Sequence, residues 1–185
     1  FYFVEPQYFV PQIMFQQFLS RRQIGSSTAM LGYRRVSSST NERTSIACIF
    51  PWLPSSYGWI LNYGLNSVEL CLLCATYNSQ IFDYLLRNSL SQASIPTSTF
   101  QQVAAPPRHT YNPTLLNFIV PRVLELTYTA WDLQPFAQDV GCHGAPFIWD
   151  DERRFLMRCE LDALYFHLYQ IGRDDVDYIM ETFPI

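Results

Sequence analysis

The sequence predicts an α+β fold, a small mixed sheet with flanking helices followed by a C-terminal helical segment. Three observations carry that reading. Short β-prone runs cluster between residues 29 and 63, apolar residues recur at helical spacing on both sides of them, and a Pro-rich stretch near 105–114 separates two parts of opposite charge. With 185 residues, the chain holds one ordinary domain, or a domain with a helical appendage. Apolar residues make up 49% and charged residues 15%, which supplies a core and excludes global disorder.

Taken in order, residues 10–19 space their apolar side chains as a helix does. Residues 29–36 and 44–50 are short and β-prone, and the polar run Ser37-Ser38-Ser39-Thr40-Asn41-Glu42-Arg43 between them predicts a strand–loop–strand unit with an Arg-bearing tip. Residues 57–63 suit a further strand. Residues 66–77 and 79–86 read as helices, the second behind an Asn/Ser cap. The small polar stretches 26–28, 37–40 and 94–99 read as turns, and Pro106-Pro107 with Pro113 mark a linker. The organisation expected is therefore a domain of mixed α and β over 1–110 and a helical tail over 111–185. In that tail, residues 124–140, 150–169 and 174–182 read as helices; Asp150-Asp151-Glu152 places acid at a helix start and Gly172 is a natural stop.

The formal net charge is −4, which argues against an all-round nucleic-acid binder. The average hides an asymmetry: residues 1–110 carry seven Arg against four acids, a balance of +3, and residues 111–185 carry five Arg against twelve acids, a balance of −7. Only the first part has the charge of a DNA face. Every basic residue is Arg, which favours planar, forked contacts to phosphate or guanine. Five Cys in apolar settings fit reduced thiols of a cytoplasmic protein, with Cys71 and Cys74 packed on one helix face rather than binding zinc. No signal peptide is expected, Phe1 reads as a cut, and no apolar run approaches the roughly 20 residues of a membrane span.

Catalytic signatures are missing from the sequence. There is no Asn-Pro-Pro-aromatic loop for adenine methylation, Tyr111-Asn112-Pro113-Thr114 being the nearest string, and no Gly-rich loop for a nucleotide or S-adenosylmethionine. Without Lys, a common nuclease arrangement of acids, Lys and metal cannot be assembled, and Asp174, Asp175 and Asp177 read as a solvated helix start. His109, His143 and His167 have no neighbouring nucleophile or carboxylate at catalytic spacing. The expectation is no catalytic residue, no metal and no cofactor in this segment. Arg34, Arg35, Thr40, Asn41, Arg43 and Thr44 stand out instead, because Arg forks onto guanine or phosphate, Asn pairs with the adenine edge and hydroxyls reach phosphate oxygens.

The order of several strings resembles a known family. Tyr8-Phe9-Val10, Gly32-Tyr33-Arg34-Arg35-Val36 leading into Thr40-Asn41-Glu42-Arg43-Thr44-Ser45-Ile46-Ala47, and Asn78-Ser79 with Phe82-Asp83-Tyr84 and Arg87 resemble the region following the methylase core in adenine-specific restriction–modification proteins. Trp149-Asp150-Asp151-Glu152-Arg153-Arg154, Glu160-Leu161-Asp162-Ala163-Leu164 and Asp177-Tyr178-Ile179-Met180 with Phe183-Pro184 look like the helical end of the same family. The resemblance runs from about Tyr8 to Pro184. It implies a target-recognition domain similar to the specificity domain of TaqI-like methyltransferases, holding double-stranded DNA while a separate core binds S-adenosylmethionine and methylates adenine. On that reading Arg34, Arg35, Thr40, Asn41, Arg43 and Thr44 approach DNA, and Arg21, Arg22 and Arg87 are further phosphate contacts. Phe82 belongs to the core, and Asp83 orients Arg87. Two rivals stand beside it: a module joining methylase, nuclease or translocase parts without touching DNA, and an independent hydrolase using Asp, His and Cys.

Overall fold

The computed structural model describes residues 10–21 and 25–183. Tyr8, Phe9, Arg22 and Pro184 therefore lie outside the described residues. Within them the chain is α+β: helix α1 (Gln12–Ser20), strands β1 (Ala29–Arg34), β2 (Ala47–Pro51) and β3 (Trp59–Asn62), then α2 (Ser67–Asn78), α3 (Gln80–Ser89), α4 (Thr97–Gln102), α5 (Pro113–Thr127), α6 (Gln134–Asp139), α7 (Asp151–Leu168) and α8 (Arg173–Glu181). The sheet runs β2-β1-β3 and is antiparallel throughout, where the sequence reading has it mixed.

Alternation along the strands gives the sheet two apolar faces. Ala29, Leu31 and Tyr33 of β1, with Ala47 and Ile49 of β2, enter the main core against α2. On the other face Gly32 of the central strand sits beneath Phe50 and Leu61, so that a Cβ there would lie 3.0 Å from the Phe50 ring and 3.1 Å from Leu61. The Phe50 and Trp59 rings meet edge to face at 5.7 Å above that face. Met14, Phe15 and Phe18 of α1 line a cleft of about 520 Å³ there, together with Met30 and Trp59.

Helix α2 has apolar residues all round because it is the element the others pack on. Seven of its twelve residues are buried, and it contacts β1, β2, α3 and α5. Asn66 and Glu69 close a capping box at its start. Ser79 ends α2 and caps α3. Phe100 of α4 stacks on Tyr33 with ring centroids 3.7 Å apart, and Tyr77 and Phe82 complete that aromatic cluster. The sequence reading leaves α4 as loop; its weak propensity is overridden by this ring stack.

The parts before and after residue 110 share one core. Ile119, Val123, Leu161, Tyr165, Ile179 and Phe183 belong to the same buried cluster as Leu31 and Leu70. The helix expected at 124–140 is replaced by α5 and α6, separated by a break at Tyr128, whose ring is buried and whose backbone accepts from Phe147. Helix α5 tolerates Pro121 within it. Asp150 caps α7 as its acidic start suggests, accepting from Arg153 at 2.9 Å. Gly172, however, is the N-cap of α8 rather than the stop of α7; the left-handed residue after α7 is Gln170, at φ 58°.

Candidate nucleic-acid interface

The segment between β1 and β2 is tied to α2 and α3 by side chains that take over the role of backbone pairing. Along the open edge of β2, the Asn78 amide donates to the Ala47 carbonyl at 2.9 Å and accepts from the Ala47 amide at 3.1 Å. It thus pairs with Ala47 as a neighbouring strand would.

Asp83, wholly buried in the first turn of α3, is the second tie. Its carboxylate accepts from Arg43 Nε at 2.8 Å and from the Thr44 amide at 3.0 and 3.2 Å. The Arg87 guanidinium approaches it to 3.6 Å. Arg43 Nη2 also donates to the Asn78 carbonyl. Arg87 donates to the carbonyls of Ser39 at 3.0 Å and Glu42 at 3.1 Å, with its plane 4.4 Å above the Phe183 ring. Thr44 is 0% exposed and its hydroxyl donates to the Ser38 carbonyl at 2.9 Å. The reason for this arrangement is elementary: a carboxylate without water needs charged donors, and the loop carbonyls of 37–44 need donors of their own.

This alters the part three of the expected DNA contacts play. Arg43, Thr44 and Arg87 turn inward, with side-chain exposures of 27% for Arg43 and 9% for Arg87. Their donors hold the loop onto α3. Asp83 orients Arg87, as the sequence reading has it, and orients Arg43 more closely still. Phe82 is in the core.

Arg34 and Arg35 are placed differently. Their backbone is pinned on three sides, Arg34 N donating to Ile46, Arg35 N to Gly58 and Ile95 N to the Arg35 carbonyl, each at 2.8 Å. From this support Arg34 is exposed at the end of β1, and the Arg35 guanidinium lies 3.9 Å above the ring of Tyr57, itself exposed. Neither has a carboxylate partner among the described residues, in contrast to Arg43, Arg87, Arg108, Arg122, Arg153 and Arg173. Thr40 is exposed with its hydroxyl bonded to Ser38, and Asn41 is partly exposed, its amide directed to Ser37. Arg21 is exposed beyond α1; Arg22 lies outside the described residues.

Elsewhere the chemistry-bearing residues stay apart. His109, His143 and His167 are all at the surface, on three separate segments. Burial pushes the Cys48 thiol up to about 11 and the Cys74 thiol up to about 12, and raises Cys71 as well, so that all three stay protonated and inert near neutrality. Among the described residues no cluster of His, Cys, Asp or Glu is arranged to hold a metal, and no helix is long and apolar enough to cross a membrane.

Two cations that form no ion pair among the described residues escaped the sequence reading. Arg154 and Arg158, one turn apart on α7, sit in a segment whose overall charge is −7 and have no carboxylate partner among the described residues. The Arg-x-x-x-Arg spacing was the available signal; the acidic average concealed it. Protein-family models, curated proteins and solved structures yield no match to this chain.

Proposed function

We propose that the chain is a DNA target-recognition segment of a larger adenine-specific restriction–modification methyltransferase, without a catalytic centre of its own. The observation that carries the reading is the Arg34–Arg35 pair: two guanidinium groups without an ion pair among the described residues, held on a hydrogen-bonded strand end, one of them stacked on an exposed aromatic ring. Such a pair can meet phosphates or a guanine edge without first breaking an ion pair. Thr40, Asn41 and Arg21 extend the contact, while Arg43, Thr44 and Arg87 act from beneath by fixing the loop. S-adenosylmethionine and the adenine-binding loop belong, on this reading, to the methylase core of the parent protein, in the cytoplasm.

Titrating the chain against a labelled DNA duplex at several salt concentrations tests the proposal. Arg34→Ala and Arg35→Ala should each weaken binding, and each lost phosphate contact should reduce the slope of log K against log salt by about 1. Unchanged affinity and slope in both variants would remove these residues from the interface. An interaction module joining parts of a larger protein is the second reading. It is supported by exposed apolar side chains on separate elements, Ile13 at 64% and Ile148 at 93%, and no DNA binding by the wild-type chain in the same titration would decide for it.

A further inference from the structure

Two cavities, of about 440 and 860 Å³, share Arg43, Arg158 and Asp162, and so form two lobes of one groove between the segment leading into β2 and the flank of α7. Arg154 lines the smaller lobe and Phe155 the larger. Arg43 is paired with Asp83, but Arg154 and Arg158 form no ion pair with a carboxylate among the described residues. Arg154 donates to the Leu126 carbonyl at 3.0 Å and lies 3.7 Å over the Trp149 ring; burial and the nearby charge of Arg158 work against its protonated form and outweigh the attraction of Asp151 and Glu125. Like charges one turn apart on a helix repel. Their neighbour Arg153, facing away, is paired with Glu125 in a two-pronged contact of 3.0 and 3.1 Å. The fold thus forks Arg153 onto Glu125, while Arg154 and Arg158 face the groove with no carboxylate at ion-pair distance among the described residues, Arg154 drawing only longer-range attraction from Asp151 and Glu125 and Arg158 from Asp162.

We infer that this groove is a second phosphate-binding site, in which Arg154 and Arg158 together receive one phosphodiester of the DNA backbone. The inference rests on the DNA-recognition reading above and places a contact on α7, well separated in sequence from Arg34 and Arg35. A phosphate oxygen shared between the two guanidinium groups relieves their repulsion and gains charge-assisted hydrogen bonds. Asp162, and in the larger lobe Glu42, are the opposing charges in the groove, Asp162 being the one shared by both lobes. Asp162 accepts from the Gln80 amide at 2.8 Å, so an Asn in its place keeps the backbone contact while removing the repulsion of an anion.

The experiment compares the wild-type chain with Arg158→Ala, Asp162→Asn and Arg34→Ala in duplex-DNA titrations across a salt series, with inorganic phosphate as a competitor. Arg158 is exposed, so its removal leaves the core intact. Arg158→Ala should lower affinity about tenfold and reduce the salt slope by about 1, whereas Asp162→Asn should tighten binding. DNA binding that responds to Arg34→Ala but to neither groove substitution overturns the groove site and leaves the Arg34–Arg35 interface standing. Failure of the wild-type chain to bind DNA at all defeats both. Binding of inorganic phosphate alone, lost in Arg158→Ala, overturns the assignment to DNA in favour of a free phosphate or nucleotide.

Discussion

Removing the carboxylate of Asp83 should destabilise the chain more than any surface substitution. The side chain is 0% exposed and receives Arg43 Nε and the Thr44 amide directly, with Arg87 close by. In Asp83→Ala the guanidinium of Arg87, only 9% exposed, loses its counterion within the fold, while Arg43 at 27% can recover part of its hydration. Breaking a buried pair from one side typically costs about 3–5 kcal/mol, and the orphaned Thr44 amide adds about 1 kcal/mol or more, offset in part by the hydration of Arg43. The expected loss is therefore about 4 kcal/mol, or roughly 8–16 °C in melting temperature for a chain of this size. Arg43→Met should cost less, about 1–2 kcal/mol, because Asp83 keeps Arg87 and the Thr44 amide. Urea unfolding followed by circular dichroism measures both, and hydrogen exchange at the Thr44 amide reports the loop directly. If Asp83→Ala lies within 1 kcal/mol of wild type, or if Arg43→Met is the costlier change, the carboxylate is not what holds the loop.

Three further outcomes follow from particular contacts. Burial pushes the Asp162 carboxyl up from its usual range to about 6, against hydrogen bonding from Gln80 and attraction from Arg43 and Arg158. A raised carboxyl favours the folded state fully below pH 4 and loses that contribution as pH rises through about 6. Asp162→Asn should accordingly match wild type near pH 4 and exceed it near pH 7.5, by an upper bound of about 3 kcal/mol; equal stability at both pH values would show that the carboxylate is not penalised. Gln170 holds a left-handed backbone at φ 58°, so Gln170→Gly should raise stability by about 1 kcal/mol, and a loss in thermal unfolding would contradict that. Tyr165 donates to the Leu72 carbonyl and accepts from Thr76 inside the core; Tyr165→Phe should cost about 1–2 kcal/mol by urea denaturation, with no loss meaning that the pair is already satisfied by Tyr111.

The sequence by itself determined the α+β class, the three strands, α2, α3, α7 and α8, the cap at Ser79 and the acidic start of α7 at Asp150, because periodicity and end-capping are local properties of the chain. It also separated Phe82 and Asp83 as core and orienting residues. Tertiary structure decided everything that depends on which distant groups meet. It formed α4 around the stacking of Phe100 on Tyr33, divided the helix expected at 124–140, and joined the segments before and after residue 110 in one core. It likewise sorted the eleven look-alike Arg residues that the structure describes. A guanidinium seeks the nearest carboxylate or carbonyl whatever its distance in sequence, so Arg43 and Arg87 were drawn in by Asp83 while Arg34, Arg35, Arg154 and Arg158 form no ion pair among the described residues. Spacing along the chain carries no record of that competition, because it is settled by desolvation and charge in three dimensions.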